Sequence, residues 1–327
     1  MNIRQRRAIH DAATDLLNRP HDLSRIVLLY TAIFCGLSLL STLLSAFLSD
    51  GISGTGGLGN IGLRSILSTG QSVLPLVNLI VSACLGLGYH IAVLSHARGF
   101  EATPGTLLGG FRYFGAVIRA LLFQVIAYGI SIFGATYLSS FIFMMTPYSA
   151  DFMKVVEPVI SSANVLSGTL VLDEATLMAA AGAMIPMFWI MLAVCTLVLV
   201  PMCYRFRMVN FCLADDPRRG ALAALAKSRA LMRRNCFALF RLDLTMWWFY
   251  LGQILISLVC YGDILLPMLG VSFPWSNTVS FYLFFGLSLV MQFVLYYFAM
   301  NRVYTVYAVA YDALQEQLPQ PKYPVQM

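Results

Sequence analysis

Apolar residues dominate six long runs of the chain, and polar or turn-forming residues separate these runs. Each run is close to the ~20 residues that an α-helix needs to cross a hydrocarbon core of about 30 Å. A bilayer offers no partner to an unsatisfied backbone group, and the runs lack the alternation of a membrane β-barrel, so all six are predicted to be helices. The predicted spans cover residues 26–48, 73–95, 114–145, 177–203, 243–261 and 279–301.

The composition also indicates a protein that is embedded in a membrane. Hydrophobic residues make up 59% of the 327 residues and charged residues only 11%, whereas soluble domains average about 45–50% apolar and ~25% charged residues. No polar stretch is long enough to form a separate soluble core, so residues 1–327 are predicted to form a single membrane domain. The predicted fold class is an all-α, polytopic membrane helix bundle with six transmembrane helices.

The basic residues predict the orientation of this bundle. Of the 21 lysines and arginines, all but Arg64 and Lys154 fall on one side of the predicted membrane. Because basic connections are retained on the cytoplasmic side, both termini are predicted to be cytoplasmic, and residues 302–327 form a cytoplasmic tail. The same rule accounts for the net charge of +6, so nucleic acid is not an expected partner.

Two segments outside the spans have the residue spacing of amphipathic helices. Residues 1–24 place arginines between apolar positions and are interrupted at Pro20. In the second segment, Asp216 is suited to cap a helix and Pro217 to begin it. The apolar face of this second helix is predicted to contain Leu222, Leu225, Met232, Cys236, Leu239 and Phe240. Both helices are expected to lie at the inner interface, in contact with anionic lipid. For the second helix, the alternative is that its basic residues only fix the orientation of the protein.

A glycine-rich segment before the second span contains a formal dinucleotide-binding motif, GLGNIG over residues 57–62. The chemistry of that motif requires a preceding strand and a following helix whose N-terminus faces a pyrophosphate. A membrane helix precedes it here, so we expect no nucleotide cofactor. The histidines, cysteines and carboxylates also lack metal-ligand spacing, so we expect no metal.

The segment from Tyr204 to Arg241 contains nine of the basic residues. From Ala214 it reads ADDPRRGALAALAKSRALMRRNCFALFRLDLTMWW, and a stretch near the end of the chain reads VYAVAYDAL. These stretches resemble a family of bacterial polytopic membrane proteins known as domain of unknown function 975. The matching positions are Asp215, Pro217, Ser228, Leu231, Met232, Arg233, Phe240, Leu242, Leu244, Trp248 and Tyr311.

The resemblance implies a multi-pass protein of a bacterial cytoplasmic membrane, but it implies no particular activity. It extends more remotely to the membrane domain of some glycerophosphodiester phosphodiesterases, without their catalytic domain. Arg234 stands where the family usually has glycine, so the helix is expected to continue through this position instead of breaking there.

Two sets of residues are candidates for a functional role. The first comes from the family motif and the basic segment, as a lipid or partner interface: Asp215, Pro217, Arg219, Ser228, Met232, Arg233, Arg234 and Trp248. The second contains polar groups in or at the ends of the spans, where they are costly to bury: His90, Gln124, Asp243, Gln253 and Arg302. Each of these polar groups could instead have a purely structural role. His90 could form a hydrogen bond to a neighbour, Asp243 could pair with Arg302, and the glutamines could form hydrogen bonds between helices.

These observations favour a non-enzymatic integral membrane protein, a component of a transport system or envelope complex. It is expected to contact anionic lipid or a partner membrane protein through its basic segment. The second hypothesis is a permease for a small solute or lipid, with a cavity near His90, Gln124 and Gln253. An intramembrane enzyme ranks last, because no Ser-His-Asp set, carboxylate pair or HExxH motif is visible.

Overall fold

The computed structural model describes residues 5–18, 23–54, 61–154, 174–268 and 277–317. Within these ranges the chain is helical with short connections and contains no strand. Six helical stretches there are long and apolar enough to cross a membrane, which confirms the predicted all-α polytopic class. They are Leu23–Leu48, Ser68–Ala97, Phe114–Met144, Met184–Asp215, Cys236–Cys260 and Val279–Gln315.

The helices are labelled in chain order. The first six are α1 (Arg6–Leu17), α2 (Leu23–Gly54), α3 (Ile61–Ala97), α4 (Pro104–Arg112), α5 (Phe114–Met144) and α6 (Glu174–Phe206). The next four are α7 (Val209–Asp215), α8 (Ala221–Met232), α9 (Cys236–Asp243) and α10 (Trp247–Cys260). The last three are α11 (Gly262–Met268), α12 (Asn277–Leu295) and α13 (Asn301–Gln315). A π-helical turn, Tyr296–Met300, joins α12 to α13.

The chain divides into two compact units. The larger unit, called the major unit here, combines residues 1–121 with residues 207–327, and the minor unit is Leu122–Phe206. Helix α5 therefore begins in the major unit and ends in the minor one. The sequence prediction of one membrane domain stays a prediction. Within the minor unit, the rings of Tyr128 and Phe206 meet edge to face, with centroids 5.9 Å apart.

Helix α13 forms the core of the major unit. Its residues from Val303 to Leu314 are buried on every side, with only two exceptions, Tyr304 and Asp312. Burial of so many residues around a helix requires other elements to pack on several of its sides. Helices α1, α2 and α3 pack against α13. The sequence analysis assigned this stretch to a tail after the sixth span, whereas the structure places it at the centre of the unit.

The helical stretch that ends with α13 is longer than one crossing requires. Its 37 residues correspond to about 55 Å at 1.5 Å per residue, against a hydrocarbon core of about 30 Å. Most of α13 therefore extends beyond the apolar layer, at the end of the unit that also contains α1. The packing of α1 on α13 brings the two ends of the described chain together, with Ile9, Ala13 and Leu16 buried.

Glycine allows α3 and α4 to approach each other at backbone contact. A Cβ atom built on Gly88 would lie 1.8 Å from the carbonyl oxygen of Leu107, and one built on Gly110 would lie 1.9 Å from that of Cys84. No side chain fits at either position. Gly88 is therefore a packing contact between α3 and α4.

The start of the basic segment differs from the prediction. Pro217–Arg219 forms a single 3-10 turn, and Gly220, with φ of 82°, separates this turn from α8. Asp216 makes no cap hydrogen bond and its carboxylate instead pairs with Arg219 at 2.7 Å. On the predicted apolar face, Leu222 is 64% exposed and Leu225 is buried.

The helix does not continue through Arg234, so that expectation is wrong. Helix α8 ends at Met232 and α9 begins at Cys236. The side chain of Asn235 explains the break, because its Nδ2 donates to the carbonyl oxygen of Leu231 at 3.0 Å. A local bond of this kind offers the backbone an alternative to helix continuation. Residues 57–60 of the glycine-rich motif lie outside the described ranges.

We predict that Gly110→Ala destabilises the protein by about 1–3 kcal/mol, because the added methyl group would force the α3 and α4 backbones apart. Gly109→Ala is the matched control, because no atom lies within 4 Å of a Cβ at that position. Thermal unfolding in detergent, followed by tryptophan fluorescence, measures both variants. Equal stability of the two would contradict the close-contact interpretation.

Candidate functional site

Asp215 is the centre of a polar cluster that joins four parts of the major unit. Its carboxylate accepts hydrogen bonds from Arg98 Nη1, Lys227 Nζ and Gln315 Nε2, each at 2.7 Å. The hydroxyl of Tyr311 donates to the same carboxylate at 3.1 Å. Arg98 follows α3, Lys227 lies on α8, and Tyr311 and Gln315 lie on α13. The Asp215 cluster therefore connects α7 to these three helices. Its two motif residues, Asp215 and Tyr311, come from the two stretches that carry the family resemblance.

Arg98 extends the Asp215 cluster to a second carboxylate. Its Nη2 donates to Asp312 at 2.9 Å while its Nη1 binds Asp215. Burial lowers the pKa of Arg98, but hydrogen bonds from the guanidinium to both carboxylates outweigh it, and the net effect is a raised pKa. The guanidinium is therefore a permanent cation held between two anions.

The other motif candidates do not form one site. Ser228 and Met232 are fully buried, consistent with a packing role for that face of α8. Arg233, Arg234 and Trp248 are exposed. Arg219 pairs with Asp216, in an exposed ion pair of a type that contributes little to stability. Pro217 begins the 3-10 turn.

A second polar region is a cavity of about 280 Å³ in the major unit. Aromatic rings form much of its wall. The centroid of the His90 ring lies 5.3 Å from that of Tyr304 and 4.8 Å from that of Phe211, both in edge-to-face contacts. Arg207 and Asn210 are the exposed members of the lining, so they mark its opening. The lining contains Tyr30, His90, Arg207, Met208, Asn210, Phe211, Phe249, Tyr250, Gln253, Tyr296, Met300, Val303, Tyr304 and Tyr307.

Arg207 is held at this cavity by two phenols. Its Nη2 donates to the hydroxyls of Tyr250 and Tyr307, and its guanidinium carbon lies 5.0 Å from the Tyr307 ring centroid, a cation–π contact. Tyr307 in turn donates to Asp243 at 2.6 Å. Among the described residues no carboxylate lies within ion-pair distance of Arg207. The hydroxyl of Tyr307 therefore links the cation to the Asp243 carboxylate.

His90 and Gln253 add neutral hydrogen-bonding groups to the lining. Nδ1 of His90 lies 2.6 Å from the carbonyl oxygen of Gly86 and must donate to it, so a neutral His90 ring has Nε2 as an acceptor. This bond matches the structural alternative considered for His90. Nε2 of Gln253 is buried and has no hydrogen-bond partner among the described residues, a state that costs free energy.

The structure also places the other polar residues that the sequence singled out in the spans. Asp243 accepts a hydrogen bond from Tyr307, and Arg302 is exposed. Gln124 belongs to the minor unit and does not line the cavity. The cavity therefore contains His90 and Gln253, but not the third residue that the sequence grouped with them.

Sequence reasoning missed the residues that define the cavity. Arg207 was counted only as one basic residue of an orienting segment. Tyr304, Tyr307 and Tyr311 are spaced by three and four residues, which places them on one helix face. That spacing was an available signal, but it lies in a stretch that was interpreted as a tail.

No family model, curated protein or solved structure matches this chain. The resemblance to domain of unknown function 975 therefore stays a prediction that depends on the quoted residues. Among the described residues, no group of three or more histidine, cysteine, aspartate or glutamate side chains is arranged to hold a metal ion.

We predict that Asp215→Asn destabilises the protein by about 2 kcal/mol, because hydrogen bonds to a charged group contribute roughly 1.5–3 kcal/mol and the two cations lose their shared anion. Asp216→Asn is the matched control, since its ion pair with Arg219 is exposed and should be worth less than about 1 kcal/mol. Thermal unfolding in detergent compares the neighbouring variants. Equal losses would argue against a structural role for the Asp215 cluster.

Proposed function

We propose that this protein is a non-enzymatic membrane protein, a component of a transport or envelope complex, that binds a small acidic solute in the cavity beside Arg207. The observation that carries this proposal is the guanidinium of Arg207 at the cavity opening, where no carboxylate of the described residues is in direct contact with it. A cation beside a low-dielectric region is stabilised by a nearby anion. A carboxylate or phosphate group would supply the missing charge and accept the remaining guanidinium hydrogens.

The other lining residues support a small polar solute. The buried amide nitrogen of Gln253 has no acceptor in the part of the chain that the structure describes, and Nε2 of a neutral His90 ring is an acceptor. A volume of about 280 Å³ is just below the range of about 300–1,000 Å³ that is typical of small-molecule sites. The size favours a small solute, or the polar end of a lipid, over a whole lipid molecule.

We predict that an acidic probe stabilises the wild-type protein and that Arg207→Gln abolishes this effect. Sodium decanoate, benzoate and glycerol 3-phosphate serve as acidic probes, and the methyl esters of the two carboxylates serve as neutral counterparts. A probe at 100 times its dissociation constant should raise the unfolding free energy by about 2.7 kcal/mol. Thermal unfolding in an uncharged detergent measures the shift.

Arg229→Gln is the control for this experiment, because Arg229 is exposed and does not line the cavity. It removes the same charge and should respond to the probes like the wild type. Gln253→Leu should weaken the response without removing it. The proposal is wrong if the neutral esters stabilise as well as the acids, or if Arg207→Gln and the wild type respond alike.

A permease is the second candidate, and the opening of the cavity at Arg207 and Asn210 favours it. Uptake of the stabilising probe into vesicles that contain the protein separates the two functions. Uptake that requires Arg207 supports a permease. Binding without uptake supports a binding component of a larger system.

We also propose that the protein lies in a bacterial cytoplasmic membrane with both termini in the cytoplasm and its basic segment against anionic lipid. The positions of the basic residues support this orientation. The packing of α1 against α13 supports the placement of both chain ends on one side. The bacterial assignment rests on the family resemblance.

We predict that Arg218→Cys, in a cysteine-free variant, is labelled by a membrane-impermeant maleimide only after the cells are opened. Ser161→Cys should be labelled in intact cells, because the sequence assigns it to the opposite side. Gel-shift detection of the label reports both. The reverse pattern would overturn the proposed orientation.

A further inference from the structure

Three arginines line one open groove where α1 meets α9. The groove has a volume of about 500 Å³ and is lined by Arg6, Arg234, Phe237, Ala238 and Arg241. Arg6 belongs to the N-terminal helix, whereas the others belong to the basic segment more than 200 residues later. The fold therefore assembles this arginine groove from the two segments that the sequence identified as amphipathic.

Specific contacts fix α1 beside α9. The hydroxyl of Thr245 donates to the carbonyl of Leu242, so Nε2 of His10 donates to Thr245 at a distance of 2.6 Å. Arg6 Nη1 lies 3.4 Å from the carbonyl oxygen of Arg241. Burial, with a contribution from Arg302, lowers the pKa of His10. The arginine groove therefore has a defined geometry in a positively charged neighbourhood.

The described residues place no carboxylate against the charges in the arginine groove. Within the described part of the chain, no ion pair joins Arg6, Arg234 or Arg241 to a carboxylate, whereas Arg98 and Lys227 are both paired with Asp215. Three like charges around one groove repel each other, and an anion bound between them would remove that repulsion. The planar guanidinium matches the oxygens of a phosphate group in a bidentate geometry.

Exposed aromatic surface lies directly beside these charges. Phe237 is 69% exposed, and its ring lies 6.3 Å from that of Phe240. The guanidinium of Arg241 lies 5.6 Å from the Phe237 ring centroid. Cations next to exposed aromatic rings are typical of a helix at a membrane interface, where the rings enter the acyl boundary and the cations meet headgroups.

We infer that Arg6, Arg234 and Arg241 bind the phosphate group of an anionic membrane lipid, with Phe237 against its acyl chains. This inference rests on the proposed contact between the basic segment and anionic lipid, and it assigns that contact to a defined site. The exposed phenylalanine favours a lipid over free phosphate, because inorganic phosphate would leave that apolar surface in water. The cavity beside Arg207 is not involved.

Two triple variants of the full-length protein test the site. Arg6→Gln/Arg234→Gln/Arg241→Gln removes the arginine groove. Arg7→Gln/Arg218→Gln/Arg229→Gln removes the same charge from the same two segments, at exposed positions without ion pairs. The probes are dihexanoyl phosphatidylglycerol, dihexanoyl phosphatidylcholine and inorganic phosphate, titrated in an uncharged detergent with thermal stabilisation as the readout.

Phosphatidylglycerol should bind the wild type more tightly than either other probe. The groove variant should lose about 100-fold in apparent affinity, from roughly 1 kcal/mol per arginine and tenfold per 1.4 kcal/mol. The control variant should stay close to the wild type. Arg234→Gln alone, at an exposed position, should lose about fivefold and provides the test if the triple variant does not fold.

Three other outcomes would each contradict a different part of the inference. If both triple variants lose affinity equally, the groove is not a site, although the general contact with anionic lipid stands. If phosphatidylcholine binds as well as phosphatidylglycerol and neither variant changes this, the contact with anionic lipid is wrong too. If inorganic phosphate binds as tightly as phosphatidylglycerol, the ligand is not a lipid.

Discussion

The burial of α13 on every face is the constraint on which the major unit depends. Between Val303 and Leu314 this helix is made largely of alanine, valine and tyrosine, and nearly all of these residues are buried, so other elements surround it. Helices α1, α2 and α3 do so, and this requirement brings the N-terminal helix to the end of the chain. The arginine groove follows from the same packing, because α1 contributes Arg6 only when it lies beside α13 and α9.

The polar clusters lie where this apolar packing ends. Asp215 is only partly buried, and each of its four partners comes from a segment that the core has already brought close. A carboxylate with two cations and two neutral donors has its hydrogen-bonding capacity filled. The Asp215 cluster therefore specifies how α7, α8 and α13 meet, while the free energy of folding comes mainly from the apolar contacts beneath it.

The sequence predicted the helices that cross the membrane because long apolar runs have no other stable arrangement in a bilayer. It did not predict the role of α13, because Asp312, Gln315 and several tyrosines make that stretch look like a polar tail. The break at Arg233–Asn235 was missed for a local reason. Side-chain bonds from Asn235 and Cys236 to the carbonyl oxygens of Leu231 and Met232 accompany the break, and helix periodicity contains no signal for such bonds.

The sequence predicted His90 and Gln253 as cavity residues, because they are polar groups in apolar helices. It did not predict that Arg207 lines the same cavity. An arginine at the end of a span satisfies the positive-inside rule, so the sequence alone gives Arg207 no further role. The structure places Arg207 against Tyr250 and Tyr307. Tyr307 and Tyr311 lie one turn apart on α13, so the cavity and the Asp215 cluster share one rigid helix. A substitution at Asp215 therefore cannot separate function from folding, because residues within one connected network are not energetically independent. Arg207 is the better probe of function: its partners are neutral hydroxyls, and its substitution removes a charge at the cavity opening without breaking an ion pair.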